Sequence, residues 1–297
     1  MSLIEAILHK APALRSAARQ LRSALPAWRS ARTLRVYLGP QQLSAVMLQA
    51  GRELPGSARS VALDSSGVHW QSAVDALHGL LLQARQAAGP AVAITLEVSL
   101  ASRWCPMVLA PWSDALLSAP EAARFLQTQL AAVYGEQARG WQIVAADAPY
   151  ASPRTVCGAD PLLIEALKAL ATEHDCGCQI IAPVLATAAQ ALPRQALAVV
   201  ESGRITMALV QSGHITALQS QTCGTLWQQE LPQAWQRWSL RAPELAAIET
   251  VTVIDLCPPR TAPLALAPPP LPARFRLEPG PFGAPQTTPL AVVREAA

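Results

Sequence analysis

Few side chains in this sequence have the type and spacing that chemistry needs. Six cysteines stand at 105, 157, 176, 178, 223 and 257. Only Cys176-Gly177-Cys178 is close enough for a metal or redox pair, and C-x-C without a second ligand pair is a weak spacing for a four-ligand zinc site. Reduced thiols are the expectation. The five histidines, His9, His69, His78, His174 and His214, show no ligand spacing among themselves, and none sits in a nucleophile motif. Cys157 reads as a small core residue on a short strand. Asp114 and Glu121 flank an expected helix start, where negative charge is favourable. The expectation is no catalytic residue and no metal ligand.

A second constellation is suited to contact rather than catalysis. Residues 1–35 hold Lys10, Arg15, Arg19, Arg22, Arg29, Arg32 and Arg35 against the single acid Glu5. Stepping 100° per residue puts Leu14, Ala18, Leu21, Leu25 and Trp28 on one stripe, with Arg15, Arg19 and Arg22 beside it. A basic amphipathic helical segment over residues 1–32 suits an anionic membrane surface or a protein partner, and equally a helix packed on its own body. The start lacks a compact apolar core followed by a small-residue cleavage site, which argues against secretion.

The elements that would position these residues follow from composition and period. The chain has 297 residues, 51% hydrophobic and 14% charged, enough for one large core or two packed lobes. Its net charge of +3 offers no general field for nucleic acid. No apolar run reaches the ~18 residues of a membrane span. From Thr33 two short strands surround the turn Gly39-Pro40-Gln41-Gln42, followed by a strand over 60–64, a helix over 70–88 and a buried strand over 91–100. Strands over 104–111, 141–146 and 154–158 alternate with helices over 119–134 and 160–174, the latter opened by Asp160 and Pro161. A short apolar run over 179–182 and a helix over 185–192 complete this half. The hairpin then returns: strands over 196–201, 205–211 and 215–220, a helix over 226–238 and a strand over 251–256. In that helix Trp227, Trp235 and Trp238 share a face, which either closes the second lobe, the favoured reading, or presents a contact surface. Eleven prolines between 258 and 289 lead to the expectation of a structureless tail over 258–297.

A strand, glycine turn and strand leading into helices, occurring twice, resembles the actin-like ATPase superfamily over about residues 33–256. Low charge, length and the hairpins are most similar to the cytoplasmic platform proteins of type IV pili, the PilM class, and to the cytoplasmic domain of the GspL class of type II secretion. The resemblance implies an α/β fold of duplicated actin-like (ribonuclease H-like) lobes with mixed sheets: a first lobe over 33–194 and a truncated second lobe over 195–257.

In active members the glycine turns approach the nucleotide phosphates, and an Asp two residues before the glycine orients metal and water. Here Tyr37-Leu38-Gly39-Pro40 places a phenol where the acid would stand, and Pro40 removes a backbone donor. Glu201-Ser202-Gly203 keeps an acid and the glycine. Tyr37, Gly39, Glu201 and Gly203 are thus expected as vestigial phosphate-loop positions, with no cofactor required and ATP with magnesium as the rival reading. The resemblance implies a non-catalytic cytoplasmic scaffold of a pilus or type II secretion-like machine at the inner membrane. Its partners would be other assembly-machine proteins and no nucleic acid. The alternatives are an active actin-like or sugar-kinase-like ATPase, or an interaction module acting through its Pro-rich tail.

Overall fold

A computed structural model describes residues 31–63, 69–89, 92–192, 195–258 and 270–283. The basic segment with Leu14, Arg15, Arg19, Leu21, Arg22 and Leu25 lies outside the described residues. The first sheet starts from a hairpin, β1 (Arg32–Leu38) and β2 (Gln42–Gln49), whose apolar side chains are buried almost throughout. Two short strands, β3 (Arg52–Glu53) and β4 (Arg59–Ala62), pair with the far side of β2. Helix α1 (Gln71–Ala88) buries Ala73, Leu77, Leu80 and Leu81, one stripe of a 3.6-residue period. The chain then enters β5 (Ile94–Leu100), parallel to β1.

Between β5 and the next strand of this sheet lies an insert with its own small core. Strands β6 (Met107–Ala110), β7 (Gln142–Ala145) and β8 (Arg154–Ala159) form an antiparallel sheet in the order β6-β8-β7. Helix α2 (Ala119–Tyr134) covers it through Leu126 and Leu130 and stops at Gly135, whose φ of 75° glycine adopts without strain. The strand expected from residue 104 begins only at 107, because residues 101–105 form a tight turn: the Trp104 and Cys105 amides both donate to the Ala101 carbonyl.

Helix α3 (Pro161–Glu173) begins where Asp160 accepts a hydrogen bond from the Leu162 amide, with Pro161 preset for the first turn. Its buried Leu163, Leu167 and Leu170 pack on the first sheet, which is completed by β9 (Cys176–Pro183), parallel to β5. This strand is longer than the four residues expected, because Cys176-Gly177-Cys178 belongs to it. Helix α4 (Val184–Ala191) then leads into the second half.

The second sheet repeats the first. Strands β10 (Ala196–Glu201), β11 (Arg204–Gln211) and β12 (His214–Thr222) form an antiparallel meander. Helix α5 (Trp227–Ser239) buries Trp227, Leu231, Ala234, Trp235 and Trp238, so the tryptophan face closes this lobe from within. Strand β13 (Val251–Asp255) runs parallel to β10. A fifth strand, β14 (Phe275–Leu277), runs parallel to β13. The orders β3-β2-β1-β5-β9 and β12-β11-β10-β13-β14 therefore match position for position: two antiparallel pairings, then two parallel ones.

Strand β14 corrects the expectation that 258–297 is a structureless tail and that the second lobe stops at 257. Pro272 and Pro279 bracket a proline-free stretch, so the amides of residues 273–278 remain available. The Glu278 amide donates to the Val253 carbonyl, and the Val251 amide donates to that of Arg274. Phe275 is buried edge-on against Trp235. The second half is shorter than the first, but its sheet has five strands.

Candidate functional site

Both glycine turns sit at the same place in their sheets. Gly39 follows β1 and Gly203 follows β10, each the central strand, antiparallel to its successor and parallel to a later strand. Strand alternation turns the side chains of Tyr37 and Glu201 inward from these equivalent ends. They meet: Tyr37 Oη donates to Glu201 Oε1 at 3.0 Å, across 164 residues of sequence. Both are buried, at 1% and 3% exposure.

A third element completes the contact. The turn after β5 is tied to β1 by the Ala101 amide, which donates to the Leu38 carbonyl. Its next amide, Ser102, donates to both Glu201 carboxylate oxygens, at 3.1 and 3.2 Å. The carboxylate of the second half is therefore held by a phenol and a backbone N–H from the first. Burial pushes the Glu201 carboxyl up from its ordinary range, opposed by its hydrogen bonds to Ser102 and Tyr37 and by the positive charge of Arg204. Burial, then the neighbouring Glu201 charge, drives the Tyr37 phenol well above its usual value, so it stays a protonated donor.

Close packing surrounds the pair. A Cβ added at Gly39 would lie 2.5 Å from Tyr37 Oη and 2.7 Å from Cζ, so the phenol ring lies over the space that glycine leaves open. The Gly39 amide is engaged with the Gln42 carbonyl at 3.0 Å, and Pro40 has no N–H to offer. On its other side Tyr37 meets the ring of Phe282, with centroids 5.6 Å apart. Phe282 is 2% exposed. The chain around it bridges the halves: Gly280 lies against Ile254 of β13, and Gly283 against Ala58 and Val46. Both approaches are too close for a side chain. By contrast Gly203 is exposed, with a φ of 82° and nothing packed over it.

The sequence thus pointed to Tyr37, Gly39 and Glu201, which the structure brings together, and to Gly203, which serves the hairpin turn. It missed Ser102 and Phe282. Ser102 offers only its backbone, which no residue type reveals, whereas an aromatic flanked by glycines in a Pro-rich stretch was a usable signal for Phe282. Asp114 and Glu121 lie in the first turns of a short 3-10 helix (Asp114–Leu117) and of α2, as charges at helix starts. A cavity of about 220 Å³ lies between the first sheet and the insert, lined by Leu100, Cys105, Cys157, Ile164 and Lys168, away from both glycine turns.

No family model matches this chain, and no curated protein matches it. Solved structures do. The cytoplasmic domain of EpsL, an inner membrane component of the type II secretion system of Vibrio cholerae, is 14% identical with a TM-score of 0.53, over 83% of this chain and 90% of that one. The PilM-PilN type IV pilus biogenesis complex matches at 12% identity and a TM-score of 0.53, over 75% of this chain and 81% of that one. A Bacteroides thetaiotaomicron protein described as having an actin-like ATPase fold and unknown function is 12% identical, over 77% and 82%, with a TM-score of 0.48. The repeated five-strand sheet order and the likenesses to EpsL and PilM give the chain an actin-like ATPase fold, similar to that of the EpsL cytoplasmic domain and of PilM.

Proposed function

We propose that this protein is a non-catalytic actin-like scaffold in a type IV pilus or type II secretion-like assembly machine, working at the cytoplasmic face of the inner membrane. The observation that carries the non-catalytic part is the bridge between the turns. A bound triphosphate needs backbone donors and open space at the glycine turns. At the first turn the Gly39 N–H is engaged within the hairpin, and the Tyr37 ring covers the glycine. At the second, the acid is engaged by the phenol and the Ser102 amide. Tyr37, Gly39, Glu201 and Gly203 are on this reading remnants of phosphate loops whose site the protein fills with its own side chains.

The assembly role rests on the likeness to EpsL, a component of a type II secretion system, and to PilM of a type IV pilus biogenesis complex. Among the described residues no helix is long and apolar enough to cross a membrane. The basic segment with Arg15, Arg19, Arg22, Leu14, Leu21 and Leu25 is proposed to reach an anionic membrane surface or another assembly subunit.

One set of preparations tests both parts: full-length protein and a form lacking residues 1–30, followed through membrane fractionation, co-purification and calorimetry with Mg-ATP. The full chain is expected to fractionate with membranes or co-purify with an assembly subunit, to lose that on truncation, and to give no heat with Mg-ATP. Unchanged fractionation and co-purification would remove the scaffold role assigned to the segment. Nucleotide binding that Glu201→Ala abolishes would restore the ATPase reading.

A further inference from the structure

Away from the glycine turns, α1 and the end of α3 bring His78 together with two metal-ligating neighbours, Glu173 and His174, the histidines lying 96 residues apart in sequence. His78 projects from α1, Glu173 is the last residue of α3, and His174 caps that helix. His174 Nε2 faces His78 Nδ1 at 3.4 Å, with the two rings nearly perpendicular. Glu173 Oε1 lies 4.0 Å from the same His78 Nδ1. The three ligand atoms all fall within 4.8 Å of one another.

The two ring nitrogens lie at the long end of hydrogen-bond reach, and their spacing also suits a shared cation. A good hydrogen bond between ring nitrogens would close to about 3 Å. Two imidazoles on one tetrahedral zinc, each about 2.0–2.1 Å from the metal, have nitrogens roughly 3.3–3.4 Å apart. The observed separation is the latter. Neutral imidazoles also have a lone pair to give, and the carboxylate adds negative charge beside them. Its side chain is 61% exposed, so a rotamer change can bring the oxygen in without moving backbone.

The frame around the cluster is fixed independently of any ion. Two turns further along α1, Arg85 Nη2 donates to the Asp175 carbonyl at 2.6 Å and to its carboxylate at 2.8 Å. That clamp holds the turn after α3 against α1. His174 is itself 8% exposed, so its ring cannot swing away.

We infer that His78, Glu173 and His174 form a binding site for a divalent transition ion of the zinc type, with three protein ligands and a fourth position open to solvent. Imidazole with carboxylate is a donor set for borderline ions, and it does not suit calcium or magnesium, which take oxygen ligands. The site links α1 to the α3–β9 turn, so a bound ion would stabilise the outer face of the first lobe. It is independent of the reading of the glycine turns.

Zinc and cobalt titrations of the full-length, reduced protein test it. The expected result is one tight ion per chain, weakened by at least about tenfold in His78→Ala, since loss of even outer-shell partners costs about 10–100-fold. Glu173→Gln should weaken binding less, and His214→Ala, on β12, should leave it unchanged. Cobalt should show a tetrahedral visible spectrum without the near-ultraviolet band of thiolate ligation. His78 has a side chain 40% exposed, so its alanine variant should unfold at the wild-type temperature when metal-free, separating loss of a ligand from loss of fold. Zinc binding unaffected by His78→Ala, a thiolate band, or no binding at all would overturn the site.

Discussion

Replacing Tyr37 by Phe removes one oxygen and should expose the energetics of the bridge between the halves. The hydroxyl donates at 3.0 Å to a carboxylate that is 3% exposed, so little solvent is available to screen or replace it. Hydrogen bonds to charged groups contribute about 1.5–3 kcal/mol, and burial puts this one toward the upper end, about 2–3 kcal/mol. For a chain of 297 residues that corresponds to a fall in melting temperature of roughly 3–5 °C.

The pH dependence gives the sharper test. Burial raises the Glu201 carboxyl in the folded state, so the folded protein holds this proton more tightly than the unfolded chain. Stability from this group is therefore present at low pH and declines as pH rises from the unfolded carboxylate value through the folded one. Tyr37 counters that decline by stabilising the ionised form, and Tyr37→Phe raises the folded value further. Its penalty should be larger at about pH 8 and fade toward about pH 3, where the carboxyl is protonated even in the unfolded chain. Urea midpoints of wild type and variant at both pH values measure this. In a Glu201→Gln background the same substitution should cost only about 0.5–1.5 kcal/mol, the range of a neutral hydrogen bond. A penalty equal at both pH values and in both backgrounds would refute a charge-assisted bridge.

Two further substitutions probe the packing around the pair. Phe282→Ala should cost about 3–5 kcal/mol, as for other buried aromatics, and residues 278–283 should lose amide-exchange protection with it. A loss below about 1 kcal/mol would mean that the segment does not hold the halves together. Gly39→Ala forces a methyl group into the Tyr37 ring and should cost about 1–3 kcal/mol, measured by denaturant unfolding. Tyr37→Ala in the same chain should remove that clash, so the combined cost should be less than the sum.

Much of the architecture was legible because local rules and tertiary structure agree. The periods of Leu163, Leu167 and Leu170 on α3, with Asp160 and Pro161 at its start, define a helix in any fold that buries leucine. The apolar run of β10 defines a strand buried on both faces. The Trp227, Trp235 and Trp238 face could be assigned to the core because large aromatic surfaces are seldom left wet. The strand in the tail is hidden by the high proline content of the whole segment, whereas a three-residue edge strand needs only a few consecutive amides and one anchor, Phe275. The histidines were set aside because ligand spacing was sought along the chain, and helix packing brings His78 and His174 together across 96 residues.

What the sequence by itself determined is the succession of elements, the repeated hairpin and the residue types at its turns. These depend on periodicity, turn chemistry and residue identity, all of which act over a few residues. Only the tertiary structure decided what surrounds the turns: that the Tyr37 phenol crosses to Glu201, that the Ser102 amide joins it, and that Phe282 closes over the ring. The physical reason is that a buried carboxylate must find donors wherever the fold brings them. Which donors arrive depends on how the two halves come together, a long-range relation that no local pattern encodes.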